Sequence, residues 1–372
     1  MTQENMFDKN YWPADYFASR ARFIELGNAC GAHMDAHPIA ALGPAGETLT
    51  VDVASLTSPT DEHLIILTSG VHGVEGFVGA VVQFQALQML AQSGLPKSTG
   101  IVMIHAANPW GFAHLRRVDE NNVDVNRNFF KTAPKSHPCY AALDPIINAP
   151  KSPSTAGEIK YWLNAIKLIA LSLGITKLFK PIAQGQYDFP KGVFFGGTRP
   201  SESSRLLQNI IADLSANSKQ VTILDIHSGL GPSAKVSLIG NSNMVPKEER
   251  LNWLKKHYGK TVYIDTDKNN TYNAKGTFSQ WCQRTLNEKL YLYLCIEIGT
   301  VNPISLFSAL RRENQAHHWA ENNTTSYARS KQALLAVFAP QSQQWRRKSV
   351  AEALQILYKT SNLPTIHANI EQ

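Results

Sequence analysis

The chain has 372 residues, of which 43% are hydrophobic and 17% charged, a balance that excludes a disordered polymer and allows one large core or two modest ones. Its net charge of +7 comes from dispersed lysines and arginines, with no block of like charge and no basic stripe interleaved with aromatics, so a nucleic-acid partner is not expected. A few arginines in a pocket for an anionic small substrate would account for part of that charge.

No run reaches the roughly 18 apolar residues of a membrane span, and "MTQENMFDKNYWPADYF" has no basic stretch leading into an apolar one, so neither a membrane partner nor a signal peptide is expected. Cys30, Cys139, Cys282 and Cys295 lack CxxC spacing, which fits free thiols in the cytoplasm. The sequence leaves the oligomeric state open.

Residues 13–28 predict a helix with Phe17, Phe23 and Leu26 broadly on one face, and "GETLTVDVASL" then alternates as a strand does. "HLIILTSG" is a short continuous apolar run, the pattern of a strand buried on both faces. "FVGAVVQFQALQMLAQSG" has helical periodicity and stops at glycine, and "GIVMIHAANP" is the next strand. Strand, helix, strand is a βαβ unit and predicts a largely parallel sheet.

Between Lys131 and Gly157 stand Pro134, Pro138, Pro145, Pro150 and Pro153, followed by a helical stretch from about Glu158 to Phe179. We read about 131–183 as an insertion on the core and not as a second domain. "QVTILDIHSG" and "KLYLYLCIEIGT" are two further strands with mixed elements between them, and a helical extension from about 303 is broken by "APQSQQ". The fold class expected is α/β: a single domain over 1–372, three-layered α/β/α, with a mixed, mostly parallel sheet.

Open α/β sheets bind ligands outside the carboxyl ends of their strands. Four apolar strands here deliver a polar group as they end: His72 and Glu75, Asn108, Asp225 with His227, and Glu297. Two histidines and a carboxylate, with a fourth position left to water, form a catalytic zinc pattern. His72 and Glu75 sit at i and i+3, which brings them together on one turn, and His227 from a neighbouring strand would close the trio. Glu297 would then be free to take a proton from the metal-bound water, whose pKa zinc lowers towards about 7.

Blander readings stand beside these. His72 and Glu75 could belong to a glycine-rich turn with a helix-start carboxylate, and His227 could be a hydrogen-bonded core histidine, although Asp225 shares its strand face. An unpaired Glu297 in so apolar a run would be costly, and a metal water or an arginine partner resolves the cost. A second HxxE, His318 and Glu321, follows no strand and reads as a solvated helix face. His105 reads as a satisfied core histidine, His114 as at most pocket rim, and Cys295 as a small buried hydrophobe. "FFGGTR", ending in Arg199, suits either a pocket wall or a tight turn. The absence of GxSxG, HExxH, P-loop and GxGxxG patterns removes the main support for serine hydrolases, thermolysin-type sites and nucleotide-binding folds.

The motifs "HGVEG", "NVDVNRNF", "DIHSGLG" and "EIGT", in that order, resemble those of the carboxypeptidase A-like zinc metallopeptidases (funnelins). The likeness runs from about Leu64 to Thr300 and is greatest to a bacterial branch carrying "SGxHGVEG" and "QGQYxxPxGxFFGG", here "QGQYDFPKGVFFGG". Succinylglutamate desuccinylase and aspartoacylase share the same core. The resemblance implies a zinc carboxypeptidase-like fold with Zn2+ on His72, Glu75 and His227, and Glu297 as general base. It implies that Asn126 and Arg127 hold a substrate carboxylate and that Asp124 orients the first zinc histidine. It also implies an arginine upstream of "NRNF" that polarises the scissile carbonyl, taken as Arg117 of the Arg116–Arg117 doublet. Tyr272 is the candidate for the family's mobile tyrosine. The bland alternative for Arg127 is a structural one, tying down its loop. The expected function is zinc-dependent hydrolysis of an amide next to a free carboxylate in a small peptide. The alternatives are an N-acyl-amino-acid amidohydrolase acting on an acylated amino acid, and a catalytically silent metal-binding module.

Overall fold

The apolar runs and the segments between them form eight strands in the computed structural model, which describes residues 11–58, 60–171, 181–259, 261–264 and 274–362. The strands are β1 (His33–Leu42), β2 (Thr48–Leu56), β3 (His63–Thr68), β4 (Thr99–His105), β5 (Gln220–Gly229), β6 (Val236–Ser242), β7 (Val262–Ile264) and β8 (Leu290–Gly299). They build one sheet in the order β1-β2-β4-β3-β5-β8-β6-β7. The central four, β4-β3-β5-β8, are mutually parallel. β2 and β1 add antiparallel on one side, β6 adds antiparallel on the other, and β7 is parallel to β6. The result is a mixed α/β fold.

The helices are α1 (Tyr16–Ala29), α2 (Gly76–Ser93), α3 (Pro109–Ala113), α4 (Tyr140–Ile147), α5 (Thr155–Leu171) and α6 (Glu202–Ser215), then α7 (Arg250–Tyr258), α8 (Phe278–Thr285), α9 (Pro303–Trp319), α10 (Thr325–Phe338) and α11 (Gln343–Ser361). Short polar side chains begin several of them by accepting an otherwise orphaned backbone N–H. Asp15 caps α1, Asn302 caps α9 ahead of Pro303, Thr324 caps α10 and Ser342, in the expected "APQSQQ" break, caps α11.

Successive side chains of a strand point to opposite faces, and the central strands are apolar on both. Ile65, Leu67, Leu224, Ile226, Leu294 and Ile296 enter the core beneath α1, α2, α7 and α11. Leu64, Ile66, Val221, Ile223, Tyr293 and Cys295 enter the opposite core, beneath α6 and α8. A third cluster joins α4 and the turn at Val74 to α9 and α10. By length and composition the segment Gly73–Ser93 could cross a membrane, but residues 73–87 are all buried within the molecule, the condition of a core helix.

The structure adds what the sequence pattern did not show. β1 carries Pro38 and is largely exposed, so it has no two-residue apolar period; an edge strand tolerates both features. The mixed region after β5 contains β6 and β7. The helix expected from Glu158 to Phe179 runs from Thr155 to Leu171, and the remainder of that expectation lies outside the described residues.

Candidate metal centre

β3 and β5 are neighbours, yet the chain leaves β3 towards β4 on one side and leaves β5 towards β8 on the other. The crevice at their carboxyl ends is therefore the switch point of the sheet, where such folds place ligands. After β3 the chain makes a single 3-10 turn at Gly73–Glu75 before α2, which folds Glu75 back beside His72. Gly73 permits this because its α-carbon abuts another main chain: an added Cβ would strike the backbone of Gly111 and Phe112. Gly73→Ala is expected to destabilise the protein by about 3 kcal/mol through this overpacking. The check is a lower denaturation midpoint at an unchanged m-value.

Nδ1 of His72 lies 2.8 Å from Oε1 of Glu75, and Nδ1 of His227 lies 2.9 Å from Oε2 of the same carboxylate. The two Nδ1 atoms are 3.2 Å apart. Each imidazole is held from behind by an aspartate: Nε2 of His72 is 3.1 Å from Asp124 Oδ1, and Nε2 of His227 is 2.7 Å from Asp225 Oδ2. When each outer nitrogen donates its proton to an aspartate, both inner nitrogens present lone pairs to one point. All three ligand atoms lie within 4.8 Å of one another and all three residues are buried, so His72, Glu75 and His227 form a donor set that can hold a metal ion. Two nitrogens and a carboxylate oxygen suit a borderline-soft cation such as zinc.

The electrostatics follow from the crowding. Burial would raise the Glu75 carboxyl, but His72 and then His227 overcome it and hold it below its ordinary range. Burial opposes charge on His227, but Asp225 and Glu75 raise its pKa well above the usual imidazole value. Burial likewise fails to neutralise Asp124, which Arg117, Arg127 and His72 hold well below the usual carboxylate value. Asp225 is held low by His227 against its burial, and also accepts from Thr68 Oγ1 at 2.7 Å and Tyr293 Oη at 2.9 Å.

Glu297 sits directly across from His227 in the parallel β5–β8 register, which puts the two side chains on one face about 4.8 Å apart at their backbones. Its Oε1 accepts from Leu230 N–H at 2.8 Å. Burial, and then the charge of Glu75, push its carboxyl up to about 7.

His72, Glu75, His227 and Glu297 line an open cavity of about 510 Å³, mouth included. Of the arginine doublet, Arg117 lines this cavity and pairs with Asp124, with its guanidinium 5.2 Å from the Phe194 ring. Arg116 turns away to Glu313. Arg127 also lines the cavity, 5.9 Å from the same ring, and donates to the carbonyls of Ala183 and Asn126. Asn126 is not among the lining residues; its Oδ1 accepts from Phe278 N–H at 3.0 Å, at the start of α8. Tyr272 lies outside the described residues.

Most of the remaining wall is apolar, with Phe194, Leu230, Leu306, Leu310 and Phe338 its large side chains. Leu306 and Leu310 come from α9 and Phe338 from the end of α10, a contribution with no local signal in the sequence. Asn108 is structural, its Oδ1 capping Gly111 N–H at 2.9 Å. His105 is a fully buried core residue stacked on Phe23 and bonded to Gln83, and His114 bonds the carbonyl of Leu42 outside the cavity. Within "FFGGTR", Phe194 reaches the cavity, Gly197 takes a left-handed turn at φ +79°, and Arg199 is exposed. The second HxxE is not the solvated helix face expected: His318 is half-buried against Trp319, and Glu321 stands beyond the end of α9.

Fold and site together define a mixed-sheet α/β protein that gathers a buried His–Glu–His donor set at its switch point. The chain belongs to the family described as "Protein of unknown function (DUF2817)", which matches residues 12–352. No curated protein matches it in sequence. Among solved structures it is similar to carboxypeptidase A from Helicoverpa armigera, at 13% identity and a TM-score of 0.47 over 89% of this chain and 75% of that one. It is also similar to thrombin activatable fibrinolysis inhibitor, at 12% identity and 0.49 over 93% of this chain and 73% of that one. A metallo-carboxypeptidase from Burkholderia cenocepacia gives 13% identity and 0.43 over 93% of this chain and 71% of that one. Likeness at this level carries nothing about the reaction of this chain.

Proposed function

We propose that the protein is a zinc-dependent hydrolase of an amide bond next to a free carboxylate, a metallocarboxypeptidase-like enzyme acting on small peptides. The observation that carries this reading is the convergence of His72, Glu75 and His227, each histidine backed by an aspartate, with Glu297 one strand away. Zinc held by the three residues would supply a Lewis acid and lower the pKa of water.

Glu297 takes the proton of the attacking water and returns it to the leaving nitrogen. Its Oε1 stays bonded to Leu230 N–H, so Oε2 carries the proton. Arg117, fixed by Asp124, stabilises the negative charge that develops on the carbonyl oxygen. Arg127, on the cavity lining, receives the substrate carboxylate through its planar fork. The apolar wall excludes water and takes an apolar group. That wall suits an acyl chain as well as a side chain, which favours N-acyl-amino-acid hydrolysis as the second reading.

A panel of C-terminally free peptides assayed beside N-acyl amino acids separates the two, and hydrolysis of neither class would defeat both. Arg127→Lys keeps the charge but loses the fork, so kcat/KM on acids should fall by a factor equivalent to about 2 kcal/mol of lost transition-state stabilisation, typical of hydrogen bonds to charged groups. The loss should shrink on the matching amides, and equal losses on both would remove the carboxylate from the proposal. Arg117→Lys should depress acids and amides alike, because its target is common to both.

A further inference from the structure

The residue left over by the proposed chemistry is Arg116, fully buried beside Arg117. Its Nε donates to Oε1 of Glu313 at 2.9 Å, and its Nη2 to Asn122 and Asn314 at 3.0 and 3.1 Å. The same Glu313 oxygen accepts from Nζ of Lys331 at 2.6 Å. Glu313 is 1% exposed and Lys331 6%. A carboxylate between two cations out of water adds little net stability compared with apolar packing, but removing one partner strands the others in a dry interior and is strongly destabilising.

This cluster is connected to the site through the main chain. The carbonyls of Arg116 and Arg117 accept from Val74 N–H at 2.8 Å and Gly73 N–H at 3.2 Å, inside the turn that separates His72 from Glu75. Glu313 shares one face of α9 with Leu310 and Leu306, at i−3 and i−7. Lys331 shares one face of α10 with Leu334 and Phe338, at i+3 and i+7. One buried carboxylate thus ties the metal-binding turn to both helices that supply the apolar wall.

We propose that Glu313 is a positioning residue that sets the His72–Glu75 turn and the α9–α10 wall in register, an inference that rests on reading His72, Glu75 and His227 as metal ligands. The test is zinc affinity, measured by competition with a chelating dye at a temperature where circular dichroism shows every variant folded. Glu313→Gln should weaken zinc binding about tenfold, the lower end for groups that orient ligands. Ile211→Ala, a cavity in the opposite core, should lower Tm yet bind zinc as the wild type does.

Zinc binding by Glu313→Gln within twofold of wild type would overturn the proposal. Should that variant not fold, Asn314→Ala takes its place, with a loss of about threefold expected and no loss overturning it. A wild-type protein that takes up no zinc would overturn the metal reading itself and this inference with it, an outcome visible before any variant is made.

Discussion

Replacing Glu297 with glutamine is expected to lower kcat/KM about a thousandfold while zinc content stays at the wild-type level, because a general base contributes on that order. The substitution preserves shape, and the amide oxygen can still accept from Leu230 N–H, so the loss measures proton transfer and not collapse of the site. Under the proposed mechanism the same carboxyl, pushed up to about 7 by burial and by Glu75, should set the acid side of the rate profile. Activity needs it ionised, so kcat/KM should fall as pH drops through its pKa. A cation on Glu75 offsets part of the repulsion and moves that limb below 7. Kinetics beside elemental analysis decide the matter: activity within about tenfold of wild type would leave Glu297 no role in moving protons.

His227→Ala should strip the metal. The wild type is expected to keep close to one zinc per chain through dialysis against a mild chelator, and the variant to keep less than about a tenth. The reason is that two ligands hold zinc far less well than three. Asp225 would remain bonded to Thr68 and Tyr293, which keeps the strand in place and makes the loss specific. His72→Ala should behave alike. Full zinc in both variants would sink the assignment of ligands.

The parts of the molecule legible in the sequence are those whose physics is local. β3, β4, β5 and β8 are buried on both faces, so they announce themselves as apolar runs, and a carboxylate or imidazole at the end of such a run stands out. His72, Glu75, His227 and Glu297 were visible for that reason, and the structure brings them to one cavity. β1 was missed because an edge strand with half its residues in water keeps no period. The choice between Arg116 and Arg117 was not legible, since neighbours in a loop point wherever their partners are, and Glu313 lies 197 positions away from Arg116. The helices from 303 onward were legible as helices, but their part in the cavity was not. Leu306, Leu310 and Phe338 look like any core residues until the fold sets them against the strand ends. His318 is half-buried, a state that an HxxE spacing alone does not show.

The walls of the cavity are drawn from residues 72 to 338, so on the ribosome they emerge at widely separated times. The sheet is complete once β8 has emerged at Gly299, so a nascent chain of that length already carries all four residues of the proposed metal site and its base. It still lacks the wall supplied by α9 and α10, and lacks Glu313 and Lys331. Arg116 is left with only Asn122 of its side-chain partners. A chain stopped after Gly299 would therefore carry the proposed metal donors without the α9–α10 wall, and without α11 over one face of the sheet. Any chemistry proposed for this cavity would wait until the last helices dock.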